Sequence, residues 1–405
     1  MTDQAIKIYP YRWVVLALFM FVNLMVQVLW ICYAPVASIA AGFYNVKKDD
    51  IDLLANIFLI VYLPVAFPAA WAIDKFGIHK GVGFGAILMA VFAMLRALFP
   101  ADYTMALIGS IGIAIGQPFL LSAFTKTAAL WFPQAHRATI TGLMFLALFV
   151  GVAIGEVVPP ILVGSGDIGH MEMVFGVLSL ASALLFLVFA RAKPKTPPGT
   201  EASEIRASMM IGLKSMLKDK DVYIISILIL VGSAVVNGIL TLIDGISAEK
   251  HLTSGQGIWL VSAILAGGIV GSVVVPMISD GIKRRKAILI ASGVLGGILS
   301  IAIALVTDFG PVMVVSFLLG VMLTGVVPLA YQYGAEITHP TPEGTSNGWL
   351  GLVLQAAGFL ILAMDMIKNA MGNSYMPAMI GLGALLLLST LLLTRIRESP
   401  EVQKG

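Results

Sequence analysis

Long apolar runs alternate with short polar ones along nearly the whole chain, and this alternation sets the architecture. A helix that crosses a bilayer needs about 20 mostly apolar residues. Twelve runs meet that requirement: 12–42, 51–73, 81–99, 103–131, 138–163 and 171–190, then 222–246, 257–278, 287–306, 311–333, 348–367 and 376–393. Most connections between them are short, so sequence neighbours pack antiparallel. Residues 192–220 break the rhythm with a polar stretch that contains Lys193, Pro194, Pro197 and Pro198, followed by a segment, 203–217, that reads as a short surface helix. The pattern predicts an all-α membrane protein of twelve transmembrane helices in two pseudo-symmetric six-helix bundles, 1–191 and 221–405, joined by a basic linker, 192–220. The first run is too long for a cleavable signal and ends in no small-residue cleavage site, so it reads as a permanent span.

Composition strengthens this picture. Of the 405 residues, 59% are hydrophobic and only 12% charged, whereas a soluble domain carries about 25% charged residues. The lone cysteine, Cys32, excludes an internal disulfide and any CxxC metal or redox motif. A net charge of +3 with no basic stripe leaves no footprint for nucleic acid. Soluble enzymes and nucleic-acid binders are thereby excluded, and no metal or cofactor constellation is present. The expected partners are a small-molecule substrate and the lipid bilayer, with the chain acting as a monomer in a cell (plasma or inner) membrane.

Lys and Arg fix the expected orientation through their excess in cytoplasmic loops. With both termini cytoplasmic, nineteen basic residues fall on that side and five on the other, namely Lys47, Lys48, Arg96, Lys250 and Lys368. Lys126 lies within the fourth span, close enough to its cytoplasmic end to snorkel. The loop after the second span contains Asp74, Lys75 and Gly77, and the loop after the eighth contains Asp280, Arg284 and Arg285. Asp74 and Asp280 stand 206 positions apart. Positive-inside bias explains the bases but not an acid at matched positions. Six plus six spans, a basic central linker and a duplicated acid–basic loop resemble the major facilitator superfamily, in which such loops couple neighbouring helices as the halves rock.

Secondary transporters of that architecture bind cargo near the midplane, between the halves. Polar and aromatic residues in mid-span are therefore the candidates. The first span offers Asn23, Gln27, Trp30 and Tyr33, the first three sharing one helix face; the fourth offers Gln117, the seventh Asn237 and the eleventh Gln355. Spans 1, 4, 7 and 10 line the cavity in the superfamily, which places Trp30, Gln117 and Asn237 where a site belongs. Mid-membrane Asn and Gln also serve as plain interhelical hydrogen-bonding groups. Glu156, inside the fifth span, is a candidate proton-coupling carboxylate, or a group near the outer end that faces water. Asp244, Asp365 and Lys368 close their helices. Three GxxxG pairs, Gly112/Gly116, Gly151/Gly155 and Gly267/Gly271, predict close helix approach.

Several stretches resemble one branch of the superfamily, the feline leukaemia virus subgroup C receptor-related proteins. They are Trp30-Ile-Cys-Tyr33, Gly42-Phe-Tyr44, Tyr62-Leu-Pro64, Phe67-Pro-Ala-Ala-Trp71, Gln117, Trp131-Phe132 and Pro159-Pro160. The most specific runs from Glu336 through Thr338, Pro340, Glu343-Gly344 and Gly348 to Gln355. The resemblance implies a carrier of small organic molecules, with choline and ethanolamine as associated cargoes and haem export also proposed. It implies further that Trp30 faces the quaternary ammonium with Gln117 and Gln355 nearby, while the position of a family Tyr in the seventh span, which also faces it, is taken by Asn237. Haem fits less well, because all five histidines lie in loops or at span ends. Uniport is the simplest mode; a proton-coupled multidrug or organic-anion carrier is the alternative.

Overall fold

The computed structural model describes residues 9–164, 167–194, 196, 209–372 and 374–400, without the side chains at 209, 210, 244, 254, 362 and 365. Most of the linker, residues 195 and 197–208, thus lies outside the described residues, as do the termini and the side chains of Asp244 and Asp365. Within the stretch expected to hold a surface helix, a short helix spans Met209–Met216.

Among the described residues, twelve helices are long and apolar enough to cross a membrane. They are α1 (Arg12–Tyr44), α2 (Lys48–Phe76), α3 (Ile78–Leu98), α4 (Tyr103–Trp131), α5 (Gln134–Val163), α6 (Ile168–Phe189), α7 (Lys220–Thr241), α8 (Gly255–Ile282), α9 (Arg285–Leu305), α10 (Phe309–Ile337), α11 (Glu343–Ala370) and α12 (Met376–Leu393). Each corresponds to one apolar run of the sequence. Large apolar side chains such as Ile161, Val188 and Phe359 are about seven-tenths exposed, a surface that only lipid can cover.

Hydropathy does not show where helices break. In α1 the α-helix stops at Ile31, a 3₁₀ turn follows at Ala34–Val36 with Pro35 inside it, and helix resumes at Ala37–Tyr44. Proline has no N–H to donate, so it removes one bond of the ladder, although α2 runs on through Pro64 and Pro68. In α4, helix Tyr103–Leu121 gives way to Phe124–Trp131 just past Pro118. In α10 a π turn at Gly320–Thr324 separates two α-helical segments. The seventh run, expected to continue to 246, ends as α7 at Thr241, and a separate short helix, Ile243–Glu249, follows.

The chain clusters into two compact units. Unit 1 comprises Met1–Pro133, Ala147–Met209 and Pro342–Trp349; unit 2 comprises Gln134–Leu146, Met210–Thr341 and Leu350–Gly405. The first turns of α5 therefore belong to unit 2 and those of α11 to unit 1.

Glycines allow the close approaches inside each unit. In unit 1 a Cβ at Gly151 would meet the Leu24 carbonyl of α1, one at Gly155 would strike Ile31, and Gly112 sits against Phe92 of α3. In unit 2 a Cβ at Gly267 or Gly271 would run into the Phe317 or Val321 carbonyl of α10. All three GxxxG pairs expected from the sequence thus pack helix on helix.

Candidate functional site

Trp30 occupies the last turn of the regular part of α1. Its indole N–H donates to the Ala55 carbonyl of α2 at 3.2 Å, while the residue stays half-buried. That bond fixes the ring and leaves part of it uncovered. Gln27 and Gln117 are buried in unit 1, at 7% and 4% exposure, and the Oε1 of each accepts no hydrogen bond. Asn23 is fully buried and donates back to the Phe19 carbonyl at 2.9 Å. Its Oδ1, like the two glutamine oxygens, has no hydrogen-bond partner among the described residues.

Tyr33, considered above as a cargo contact, is committed elsewhere. It is 2% exposed, its hydroxyl bonds that of Tyr44 at 2.8 Å, and the Arg96 guanidinium lies 4.7 Å from its ring centroid. Its aromatic face already holds a cation, and the cation belongs to the protein. Arg96, counted on the outer side by the charge distribution and within the third apolar run, is 1% exposed inside unit 1. Its Nε and Nη2 donate to the two oxygens of Glu172 on α6 at 2.9 and 2.6 Å. Sequence reasoning missed Glu172 altogether, although an acid set between Met171 and Met173 in an apolar run was the available signal.

Unit 2 carries the remaining candidates. Asn237 is exposed on α7 and Gln355 half-exposed on α11, and neither side chain makes a hydrogen bond among the described residues. A small cavity between α7, α9 and α10, lined by Ser233 and otherwise aliphatic, includes neither of them. Glu156 is half-buried on α5, in unit 1, with no ion-pair partner among the described residues.

The acid–basic loops bind helix starts. Asp74, at the end of α2, accepts from the backbone N–H of Gly344 at 3.0 Å and of Thr345 at 2.9 Å, and from the Thr345 hydroxyl at 2.9 Å. A carboxylate at a helix N-terminus meets unpaired N–H groups and the positive end of the helix dipole. Gly344 and Gly348 let α11 lie against α2, since a Cβ at the first would meet Asp74 and one at the second Ala70. This gives the Glu343-Gly344-Thr345 motif its physical content. Asp280, at the end of α8, accepts from the N–H and hydroxyl of Thr139 at 2.7 and 2.6 Å in the first turn of α5.

Gly77 and Lys283 end α2 and α8 with φ of +83° and +52°. They too stand 206 positions apart, as Asp74 and Asp280 do. The strained turn is kept, and glycine's ease in it only in the first loop. The bases differ as well. Lys75 lies 4.5 Å from the Trp71 ring centroid, Arg284 is exposed, and Arg285 is buried between Asp280 at 2.5 Å and Glu336 at 3.2 Å. Glu336 is 3% exposed within α10 and also accepts from Gln332. The Lys126 Nζ donates to the Ile73 carbonyl at 2.8 Å and sits 3.3 Å from Asp74, at the end of α2.

Twelve membrane-length helices in two units, with carboxylates seated on helix starts, suit a multi-pass membrane transporter. The family model of the Major Facilitator Superfamily matches residues 18–362, and the chain belongs to that superfamily. It is similar to the choline/ethanolamine transporter FLVCR2 of Homo sapiens, 26% identical over 412 residues that cover 95% of this chain and 78% of the relative. The choline/ethanolamine transporter flvcr2a of Danio rerio is 26% identical over 416 residues, 94% of this chain and 86% of its own. An uncharacterised transporter of the same superfamily from Caenorhabditis elegans is 27% identical over 98% of this chain and 71% of its own. Among solved structures, the Escherichia coli fucose:proton symporter superimposes with a TM-score of 0.76 at 15% identity, covering 95% of this chain and 98% of that one. The human organic anion transporter MFSD10 superimposes with a TM-score of 0.69 at 12% identity, covering 95% of this chain and all of that one. These two likenesses concern the fold.

Proposed function

We propose that this transporter carries a small organic ammonium compound of the choline/ethanolamine type, by alternating access of the bundles 1–191 and 221–405 linked through 192–220, as a facilitative uniporter. Both termini are then cytoplasmic, and the carrier works as a monomer in the plasma or inner membrane. Trp30 is the observation that carries this reading. Its N–H is spent on Ala55, so what the residue offers to a cargo is ring face, the surface that attracts an ammonium by about 0.5–2 kcal/mol. Relatives whose names specify choline and ethanolamine cover most of the chain and support the cargo class.

Within that class the residues favour an ammonium that bears N–H. Tyr33 supplies no second wall, because Arg96 covers it. The Oε1 atoms of Gln27 and Gln117 are acceptors in need of donors among the described residues. A primary ammonium has three N–H groups and a trimethylammonium none. A buried acceptor left unpaired costs about 1–3 kcal/mol. Ethanolamine is therefore expected to raise the melting temperature of the purified carrier at lower concentration than choline does, since a ligand that binds only the folded state stabilises it. Equal or reversed potency would contradict the preference. No shift with either compound would contradict the cargo class.

Glu156 gives a second reading, proton-coupled transport, on one observation: a half-buried carboxylate within a span, with no cation paired to it among the described residues. Coupling predicts that cargo drives acidification or alkalinisation in vesicles and that Glu156→Gln abolishes it. Uniport predicts neither.

A further inference from the structure

Arg96 and Glu172 are two opposite charges deep in an apolar bundle, and both are 1% exposed. A pair of this kind is expensive to bury and is kept where it specifies a structure. Its N–H groups show what it specifies. Beyond Glu172, Nη1 donates to the Leu29 carbonyl at 3.4 Å, Nη2 reaches Cys32 Sγ at 3.3 Å, and the guanidinium covers the Tyr33 ring. All three contacts fall where α1 stops being helical. In a continuing helix the Leu29 carbonyl would accept from the N–H of Tyr33, which lies past the last helical residue. Arg96 of α3 supplies a donor in its place at 3.4 Å, beside the Cys32 thiol at 3.5 Å.

Leu29, Cys32 and Tyr33 flank Trp30 on both sides in sequence, and the Trp30 ring is tied to Ala55 of α2. The pinned backbone thus holds Trp30 from one direction and α2 holds it from another. Glu172 has two effects. Its bidentate grip orients the guanidinium, and its charge cancels a positive charge that would otherwise oppose an ammonium at Trp30. Tyr33 and Tyr44 extend the brace to Tyr103, whose hydroxyl donates to the Asp50 carbonyl at the start of α2.

We infer that Arg96–Glu172 is a positioning clamp that sets the break in α1 and thereby the orientation of Trp30 toward cargo. This rests on Trp30 being a cargo contact, and the test separates the two claims. Radiolabelled ethanolamine uptake is measured in proteoliposomes for wild type, Trp30→Ala, the double variant Arg96→Met/Glu172→Met, and the triple variant. Removing both charges together avoids stranding one of them. Cys32 is the single cysteine, fully buried, so its reaction with N-ethylmaleimide in the folded carrier reports whether the break has loosened.

The double variant is expected to label Cys32 faster and to raise KM about tenfold, within the range of a lost cation–π contact, with Vmax per inserted carrier unchanged. The triple variant should be no worse than Trp30→Ala, because residues acting as one unit are not additive. Arg96→Glu/Glu172→Arg, which keeps the charges but not the donors to α1, should raise KM likewise. An unchanged KM, a loss confined to Vmax, or additive effects in the triple variant overturns the clamp. A wild-type KM in Trp30→Ala overturns Trp30 as a cargo contact and the clamp with it.

Discussion

A ring whose N–H is already spent discriminates by charge and shape, while an amide with a free oxygen discriminates by donors. We propose this division of labour between Trp30 and Gln117. Trp30→Phe, which retains an aromatic face but loses the bond to Ala55, is expected to keep part of the affinity for ammonium cargo. Trp30→Ala is expected to lose about tenfold, or ~1.4 kcal/mol. A full wild-type KM in Trp30→Ala would show that the ring touches no cargo. Gln117→Leu should weaken ethanolamine more than choline, read as a change in the ratio of their KM values. Trp30, Gln117, Asn237 and Gln355 could be nominated from the text alone because a polar or aromatic residue within an apolar run stands out. Tyr33 was equally visible and differently employed. Its cation comes from α3, and Arg96 meets Glu172 across 76 positions, a pairing that no local pattern encodes. Both charges lie near the ends of their spans, where position alone suggests water.

Helix ends carry the energetics at the scale of the element. Asp74 and Asp280 each satisfy N–H groups at the start of another helix, and substitution of such a cap costs about 0.5–2 kcal/mol. Asp74→Ala also deprives Lys126 of its carboxylate, so a lower melting temperature and slower uptake are expected. Asp74→Asn, which can still accept, should recover part of both. Identical melting curves for the three proteins would refute the capping role. Where α8 and α10 touch, no side chain fits, and Gly271→Leu would force the helices apart at the Val321 carbonyl. Loss of monodisperse protein on size-exclusion chromatography is the expected outcome. Span number and most span limits were legible because length and hydropathy are enough to mark a membrane helix. The breaks in α1, α4 and α10 were not, since a proline or a glycine inside an apolar run leaves the hydropathy unchanged. The early end of α7 at Thr241 escaped for the same reason: Ile243–Glu249 continues the run while starting a new helix.

For the whole molecule, membership of the Major Facilitator Superfamily makes transport the function, and the twelve helices demand a bilayer. The duplicated loop was the sequence feature that tied the two halves together before any geometry. Its acids proved to hold matched places, Asp74 on α11 and Asp280 on α5, although the surrounding bases diverge. Cargo was less legible, because a binding site depends on which few side chains stay uncommitted after packing. That is settled by partners such as Arg96 that lie far away in sequence. The measurement that tests the central claim most directly is uptake of radiolabelled ethanolamine and choline into proteoliposomes without any ion gradient, for wild type and Trp30→Ala. Saturable uptake of both compounds by wild type, with ethanolamine favoured and both weakened in the variant, is the predicted result. Uptake no greater than that of empty liposomes would contradict a facilitative carrier of organic ammonium compounds.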